Sequence, residues 1–199
     1  PSRRLYVALS ADGSNWVEEK LDSTSPLGPA LAVATLSAAR RGGERLWMAY
    51  RANDASDCLY LASSPDGDTW SGSQRLDFTS PKAPALAFFK GRLYLAWTAD
   101  DASNRLYLAS TDGATMSPAE RLPEAGEETP TLLSTPDRLY LAFKEKGDKN
   151  RLCIMSTSDG KQWSGAQRLA ASSPQPPALA VLPSLPPRDA TAEPQSTAE

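Results

Sequence analysis

Residues 84–110 read Pro84-Ala-Leu-Ala-Phe-Phe89-Lys90-Gly91-Arg92-Leu-Tyr-Leu-Ala-Trp97-Thr98-Ala-Asp-Asp101-Ala-Ser-Asn104-Arg105-Leu-Tyr-Leu-Ala-Ser110. Three apolar runs, 84–89, 92–97 and 105–110, are separated by a Lys-Gly pair and a polar loop. Side chains alternate along a strand, so Leu93, Leu95 and Trp97 share one face, and Tyr94 and Ala96 the other. Both faces are apolar, which predicts a sheet covered on both sides. Lys90-Gly91 has the length of a tight hairpin turn. Asp112-Gly113 leads into a fourth strand, expected to end near Glu120-Arg-Leu122. A helix needs about ten residues of 3.6-fold periodicity, and no segment supplies them. The unit is a four-stranded antiparallel meander, its strands lettered a to d.

Working outward, the unit recurs. Ser10-Ala-Asp12-Gly13-Ser-Asn-Trp16, Ser64-Pro-Asp66-Gly67-Asp-Thr-Trp70, Ser110-Thr-Asp112-Gly113-Ala-Thr-Met116 and Thr157-Ser-Asp159-Gly160-Lys-Gln-Trp163 match, with aspartates 54, 46 and 47 residues apart. Pro-Ala-Leu-Ala stands at Pro29, Pro84 and Pro177, with Pro-Thr-Leu-Leu at Pro130, spaced 55, 46 and 47. Two independent markers in phase define a repeat of about 46 residues, the scale of propeller blades. The longer first interval comes from extra residues between Ser37 and Glu44.

A small meander with two apolar faces is not stable alone and must stack against its neighbours. Radial stacking does this while leaving few edges exposed, so the expected fold is all-β: a β-propeller of about four four-stranded blades. Repeats are expected over residues 1–182, with units starting near 4, 24, 79, 125 and 172. Arg4-Leu-Tyr-Val-Ala-Leu9 reads as a strand c, and Pro177-Ala-Leu-Ala-Val-Leu182 as a further strand a. These either close a four-bladed ring or belong to an arc of a larger one, in which case a second copy of the chain is an expected partner. The Pro/Ala/Ser/Thr/Glu-rich residues 183–199 read as a disordered tail.

Composition narrows the chemistry. Hydrophobic residues are 40% of the 199, ordinary for a globular protein. The net charge of −3 argues against a nucleic-acid surface. No run is apolar and long enough for a membrane helix, and the start has no apolar leader. The chain has no histidine, which excludes Ser-His-Asp triads and His-ligated zinc within it. Cys58 and Cys153 occupy different repeat positions and are expected as reduced thiols.

The four Asp-Gly segments resemble the Asp-box of sialidase-like propellers, with one residue fewer between Asp and aromatic and with Met116 in place of the third Trp. The resemblance covers residues 4–182 and implies an Asp-box propeller, a fold that hosts many functions. It implies a structural role for Asp12, Trp16, Asp66, Trp70, Asp112, Met116, Asp159 and Trp163. Each carboxylate would hold backbone N–H groups in a tight turn that the aromatic covers. The family's catalytic members carry an Arg-Ile-Pro motif, three carboxylate-binding arginines, a Tyr/Glu pair and an acidic Asp. Arg-Ile-Pro is absent here. Arg45, Arg92 and Arg138, like Arg4, Arg105 and Arg151, recur at strand starts as packing residues would. No catalytic residue is assigned.

In an up-and-down blade the b–c loops and d–a connections share one face of the disc. That face is the candidate ligand surface, with Tyr50, Arg51, Asp54, Trp97, Asp101, Phe143 and Lys144 as candidate binding residues. Rings beside Asp, Arg and Lys suit a sugar; the same rings would equally suit packing between blades. Asp54/Asp57 and Asp100/Asp101 match no recognised calcium loop, so no metal and no cofactor is expected. The leading expectation is a non-catalytic carbohydrate-binding or interaction module. A glycoside hydrolase, or part of one, and a protein-binding scaffold are the alternatives.

Overall fold

The computed structural model describes residues 3–38, 43–147 and 149–182. Fourteen strands are present and no helix among the described residues. β1 (Arg4–Leu9) and β2 (Val17–Thr24) form a two-stranded first sheet. The second sheet is β3 (Ala30–Thr35), β4 (Glu44–Arg51), β5 (Cys58–Ser64) and β6 (Gln74–Thr79). The third is β7 (Ala85–Phe89), β8 (Arg92–Thr98), β9 (Arg105–Thr111) and β10 (Glu120–Ala125). The fourth is β11 (Thr131–Ser134), β12 (Leu139–Lys144), β13 (Arg151–Thr157) and β14 (Gln167–Ser172). Every sheet pairs consecutive strands antiparallel, so each complete sheet is the expected meander.

The sheets stack side by side through their inner strands, β7 lying between β3 and β11. The two-residue period sorts side chains between neighbours. Leu93, Leu95 and Trp97 of β8 pack with Trp47, Ala49, Leu59 and Leu61 of the second sheet. Tyr94 and Ala96, one residue out of phase, pack with Leu139, Leu141 and Phe143 of the fourth. Leu5, Val7 and Leu21 pack on Met48, Tyr50 and Ala62. Each fully buried leucine contributes roughly 1.5–3 kcal/mol, and each needs a neighbouring sheet to be buried at all.

Several devices repeat that composition did not reveal. Arg3, Asp57, Asn104 and Asn150 all have positive φ near 50° just before a c strand (46°, 51°, 51° and 48°). Their carbonyls accept from Ser25, Ser80, Gly126 and Ser173, tying every c strand to the following d–a connection. Ser71, Ser117 and Ser164 each donate a backbone N–H to the c strand and accept from it through Oγ. Arg45, Arg92 and Arg138 each reach across to Ser63, Ser110 and Ser156 on the next strand of their own sheet. The recurrence of these arginines is thus a within-sheet contact.

Two expectations need correction. The fourth strand of the third unit begins at Glu120 and runs to Ala125. Pro118 has no N–H for the ladder, and Ser117 makes the preceding link through its backbone N–H and its side chain. Residues 177–182 form no strand. They lie beside β11, where Thr131 Oγ1 donates to the Pro177 carbonyl at 2.5 Å, but no b strand pairs with them. Among the described residues the first sheet has no inner strands, so three complete blades and one two-stranded sheet are seen and no closed ring. The tail at 183–199 lies outside the described residues, as does Asp148.

Candidate functional site

The four Asp-Gly turns lie on the face formed by the a–b and c–d connections. Asp12 accepts the N–H groups of Ser14 and Asn15, both at 2.8 Å. Asp66 does so from Asp68 and Thr69, and Asp159 from Lys161 and Gln162. Donors around a carboxylate favour its charged form. Asp159 is lowered to about 2, chiefly by the Gln162 and Lys161 amides. Asp12, held first by the Asn15 amide, lies further down, and Asp66 and Asp112 are lowered for the same reason. Gly13, Gly67, Gly113 and Gly160 take φ of 73°, 84°, 100° and 75°, as a residue after the aspartate must in such a turn.

The third turn is one residue shorter than the sequence alignment suggests. Thr111, not Ser110, takes the place of Ser64 and Thr157: it stands opposite Leu93, as they stand opposite Leu46 and Leu139. Asp112 follows at once, yet still accepts from Ala114 and Thr115. Met116 bridges to Thr111 as Trp163 does to Thr157. Trp70 donates to the Gly67 carbonyl at 2.8 Å and packs on the first sheet. Trp16 departs from the expected role of covering its turn. It is 62% exposed, because no sheet among the described residues faces it.

On the opposite face the candidate ligand residues separate into two groups. Tyr50, Trp97 and Phe143 are buried, 5%, 3% and 0% exposed. Tyr50 stacks on Tyr60 at 5.4 Å and donates to Ser23 Oγ at 3.1 Å. Trp97 lies between Phe78 at 4.5 Å and Tyr107 at 5.8 Å. Phe143 belongs to the core between the third and fourth sheets. These rings offer no open face, and the aromatic platform anticipated for them is not formed.

The polar candidates are held in local pairs. Arg51 pairs with Asp57. Asp54 accepts from the backbone and hydroxyl of Ser56, and Asp101 from those of Ser103. Those bonds, the serine hydroxyl first in each case, hold both carboxyls below the usual range. Lys144, 7% exposed, donates to Glu127 at 2.8 Å. That bond, assisted by the Gly147 N–H, lowers the Glu127 carboxyl.

The structure also singles out a charged cluster on this face that the sequence reading did not assign. Ala125-Gly126 stands where the other d–a connections have Thr-Ser or Ser-Ser, and Glu127-Glu128 stands where they have Pro26-Leu27, Pro81-Lys82 and Pro174-Gln175. Glu128 pairs with Lys82 at 3.0 Å, and its carbonyl accepts from Thr98 Oγ1 at 2.9 Å. Glu145 holds Arg168, which lowers its carboxyl. Beside it, Glu145, Lys146, Gly147, Lys149, Asn150 and Arg151 line an open groove of about 280 Å³ at the fourth b–c loop. The departure of the fourth unit from the Ala-Ser pattern of the other b–c loops was the readable signal.

No protein-family model matches the sequence, and no curated protein does. Solved structures do match in fold. A Dyadobacter fermentans protein of unknown function superposes with a TM-score of 0.54 at 17% identity, over 85% of this chain and 59% of that one. A Penicillium chrysogenum alpha-L-arabinanase complexed with arabinobiose gives 0.52 at 18%, over 74% and 50%. An exo-beta-1,3-galactanase from Clostridium thermocellum gives 0.53 at 19%, over 83% and 42%. The chain thus spans about half the length of these structures. At such identities the likeness concerns the fold: an all-β, propeller-like stack of antiparallel sheets, shared with glycoside hydrolases.

Proposed function

We propose that the chain is a non-catalytic, carbohydrate-binding propeller module whose ligand surface is the b–c face. The observation that carries this reading is the polar groove at the fourth b–c loop. Lys146, Lys149, Asn150 and Arg151 converge there with Glu145 and the Gly147 backbone, a mixture of donors and acceptors suited to sugar hydroxyls. Asp54 and Asp101 mark the corresponding loops of the second and third sheets. Arg51 and Lys144 flank the face through their ion pairs, and Tyr50, Trp97 and Phe143 support the loops from the core. The shared fold with an arabinanase and a galactanase agrees with a saccharide as the ligand class.

The groove carboxylate supports the non-catalytic part. Glycoside hydrolysis needs an acid whose pKa is raised towards the working pH. Glu145, the carboxylate that lines the groove, is held below its ordinary range by Arg168, the opposite of what a general acid needs. Titration of tryptophan fluorescence with arabinan, galactan and acidic oligosaccharides, beside a glycan array, tests the reading. Saturable binding weakened at least about tenfold by Lys149→Ala with Arg151→Ala, about 1.4 kcal/mol, is expected. Release of sugar from any of these substrates, or no binding by folded protein across the panel, would overturn it.

A further inference from the structure

The exposed large hydrophobic side chains are confined to the two ends of the stack and one adjoining loop. Tyr6, Trp16, Val17, Leu31 and Val33 lie at one end, and Leu169, Val181 and Leu182 at the other, with Leu27 on the first d–a connection. None lies between Val33 and Leu169 among the described residues. Isolated exposed apolar residues need no explanation, but a contiguous group marks an interaction surface. We propose that the two ends are complementary and join head to tail. Residues 177–182 and the outer face of the fourth sheet of one copy dock on Leu31, Val33 and the first sheet of a second copy.

The joints inside the chain supply the template. Between neighbouring inner strands, a face of small residues meets a face of bulky ones. Ala30 and Ala32 pack with Leu86 and Phe88, and Ala85 and Ala87 with Leu132. Leu31 and Val33 hold the positions of Leu86 and Phe88 but are 48% and 53% exposed. In Pro177-Ala-Leu-Ala-Val-Leu182, Ala178 and Ala180 hold the positions of Ala30 and Ala32. The contact between Thr131 and Pro177 sets this segment beside β11, as β11 lies beside β7.

A second contact repeats in the same way. Gly160 lies so close to the third sheet that a Cβ there would overlap the Tyr94 hydroxyl, and a Cβ on Gly67 would come within 2.6 Å of Leu9. Gly13, in the same turn with the same φ, has nothing within 4 Å. Tyr140 stands opposite Ser156 as Tyr94 stands opposite Ser110, and it is only half-buried. Trp163 and Trp70 pack on the preceding sheet, whereas Trp16 is exposed. Tyr140 against Gly13 and Trp16 would complete the series. Trp16, Leu31 and Val33 at one end and Ala180, Val181 and Leu182 at the other are exposed in the single chain, so its own ends do not meet. A second copy carries the matching surface.

Sedimentation of the full chain tests this, with Leu31→Asp/Val33→Asp as the disrupting variant. The wild type is expected at a multiple of 21.3 kDa and the variant at the single-chain mass. Both residues are half exposed, so the variant should keep its near-ultraviolet circular dichroism. Should it unfold, a second pair decides. Val33→Cys and Ala180→Cys, prepared separately and mixed under mild oxidation, should cross-link only in the mixture. A single-chain mass at every concentration, or cross-linking of either variant with itself alone, would overturn the head-to-tail joint.

Discussion

β9 of the third sheet and β1 of the first pair with the last strand of their sheets in the same way and differ in what lies beside them. β9, Arg105-Leu-Tyr-Leu-Ala, has sheets on both sides, and Leu106, Leu108 and Ala109 are buried with Tyr107 half-buried. β1 has a neighbour on one side only, and Leu5 and Val7 are buried while Tyr6 between them is 56% exposed. The two strands have nearly the same sequence, Arg-Leu-Tyr-Leu-Ala against Arg-Leu-Tyr-Val-Ala. Strand propensity is therefore equal in the two places, and burial depends on the neighbour. What stabilises a blade here is the blade next to it.

The largest expected difference separates leucine from leucine-like positions across that boundary. Leu95, 1% exposed in the core between the second and third sheets, should lose about 3 kcal/mol on Leu95→Ala. Val33→Ala at the uncovered end should change stability by less than about 0.5 kcal/mol in the single-chain form. Urea unfolding of both variants in the Leu31→Asp background measures this. Comparable losses would break the comparison.

Next come two glycines with the same backbone. Gly160→Ala places a methyl on the Tyr94 hydroxyl, and Gly13→Ala places it in open space, with φ of 75° and 73°. Both pay about 1 kcal/mol for left-handed backbone. Only Gly160→Ala should add about 1–3 kcal/mol of overpacking, seen as the lower midpoint in thermal unfolding.

A smaller effect is expected at the fourth sheet's ion pair. Lys144→Met removes the partner of Glu127 while keeping the buried stem, and should cost about 1–2 kcal/mol. The Glu127 carboxyl should then titrate nearer its ordinary range, measurable by carbon-detected NMR. An unchanged titration would show that the Gly147 N–H alone holds the charge.

The smallest effect concerns acid. The Asp159 carboxyl is lowered from 3.8 to about 2 in the folded chain. Its contribution is complete above about pH 4 and is lost as the pH falls towards 2, because the unfolded state then takes up the proton first. Asp159→Asn should flatten the decline in thermal midpoint between pH 4 and 2. A decline as steep as the wild type's would place the acid sensitivity elsewhere.

Much of this architecture could be read from residues 84–110 and their repeats. The two-residue period assigns Leu93 and Tyr94 to opposite faces whatever lies beside them. It cannot say whether a neighbour is there, so Trp16 and Trp163 look alike in sequence and differ in exposure. Nor does it count turn residues, so the shift from Ser110 to Thr111 emerged only from the ladder. The candidate site was less legible. Tyr50, Trp97 and Phe143 end inner strands, where a ring serves packing or a ligand equally well until its burial is known. The Lys144–Glu127 pair joins residues 17 apart through a loop, and only the departure of Glu127-Glu128 from the repeat hinted at it.

Hydrogen exchange resolved strand by strand, on the Leu31→Asp/Val33→Asp chain, tests most directly whether neighbouring sheets stabilise one another. The amides of β8 and β9 should be the slowest, exchanging only through global unfolding, while those of β1 and of residues 177–182 exchange orders of magnitude faster. Uniform protection from the first sheet to the fourth would contradict the account.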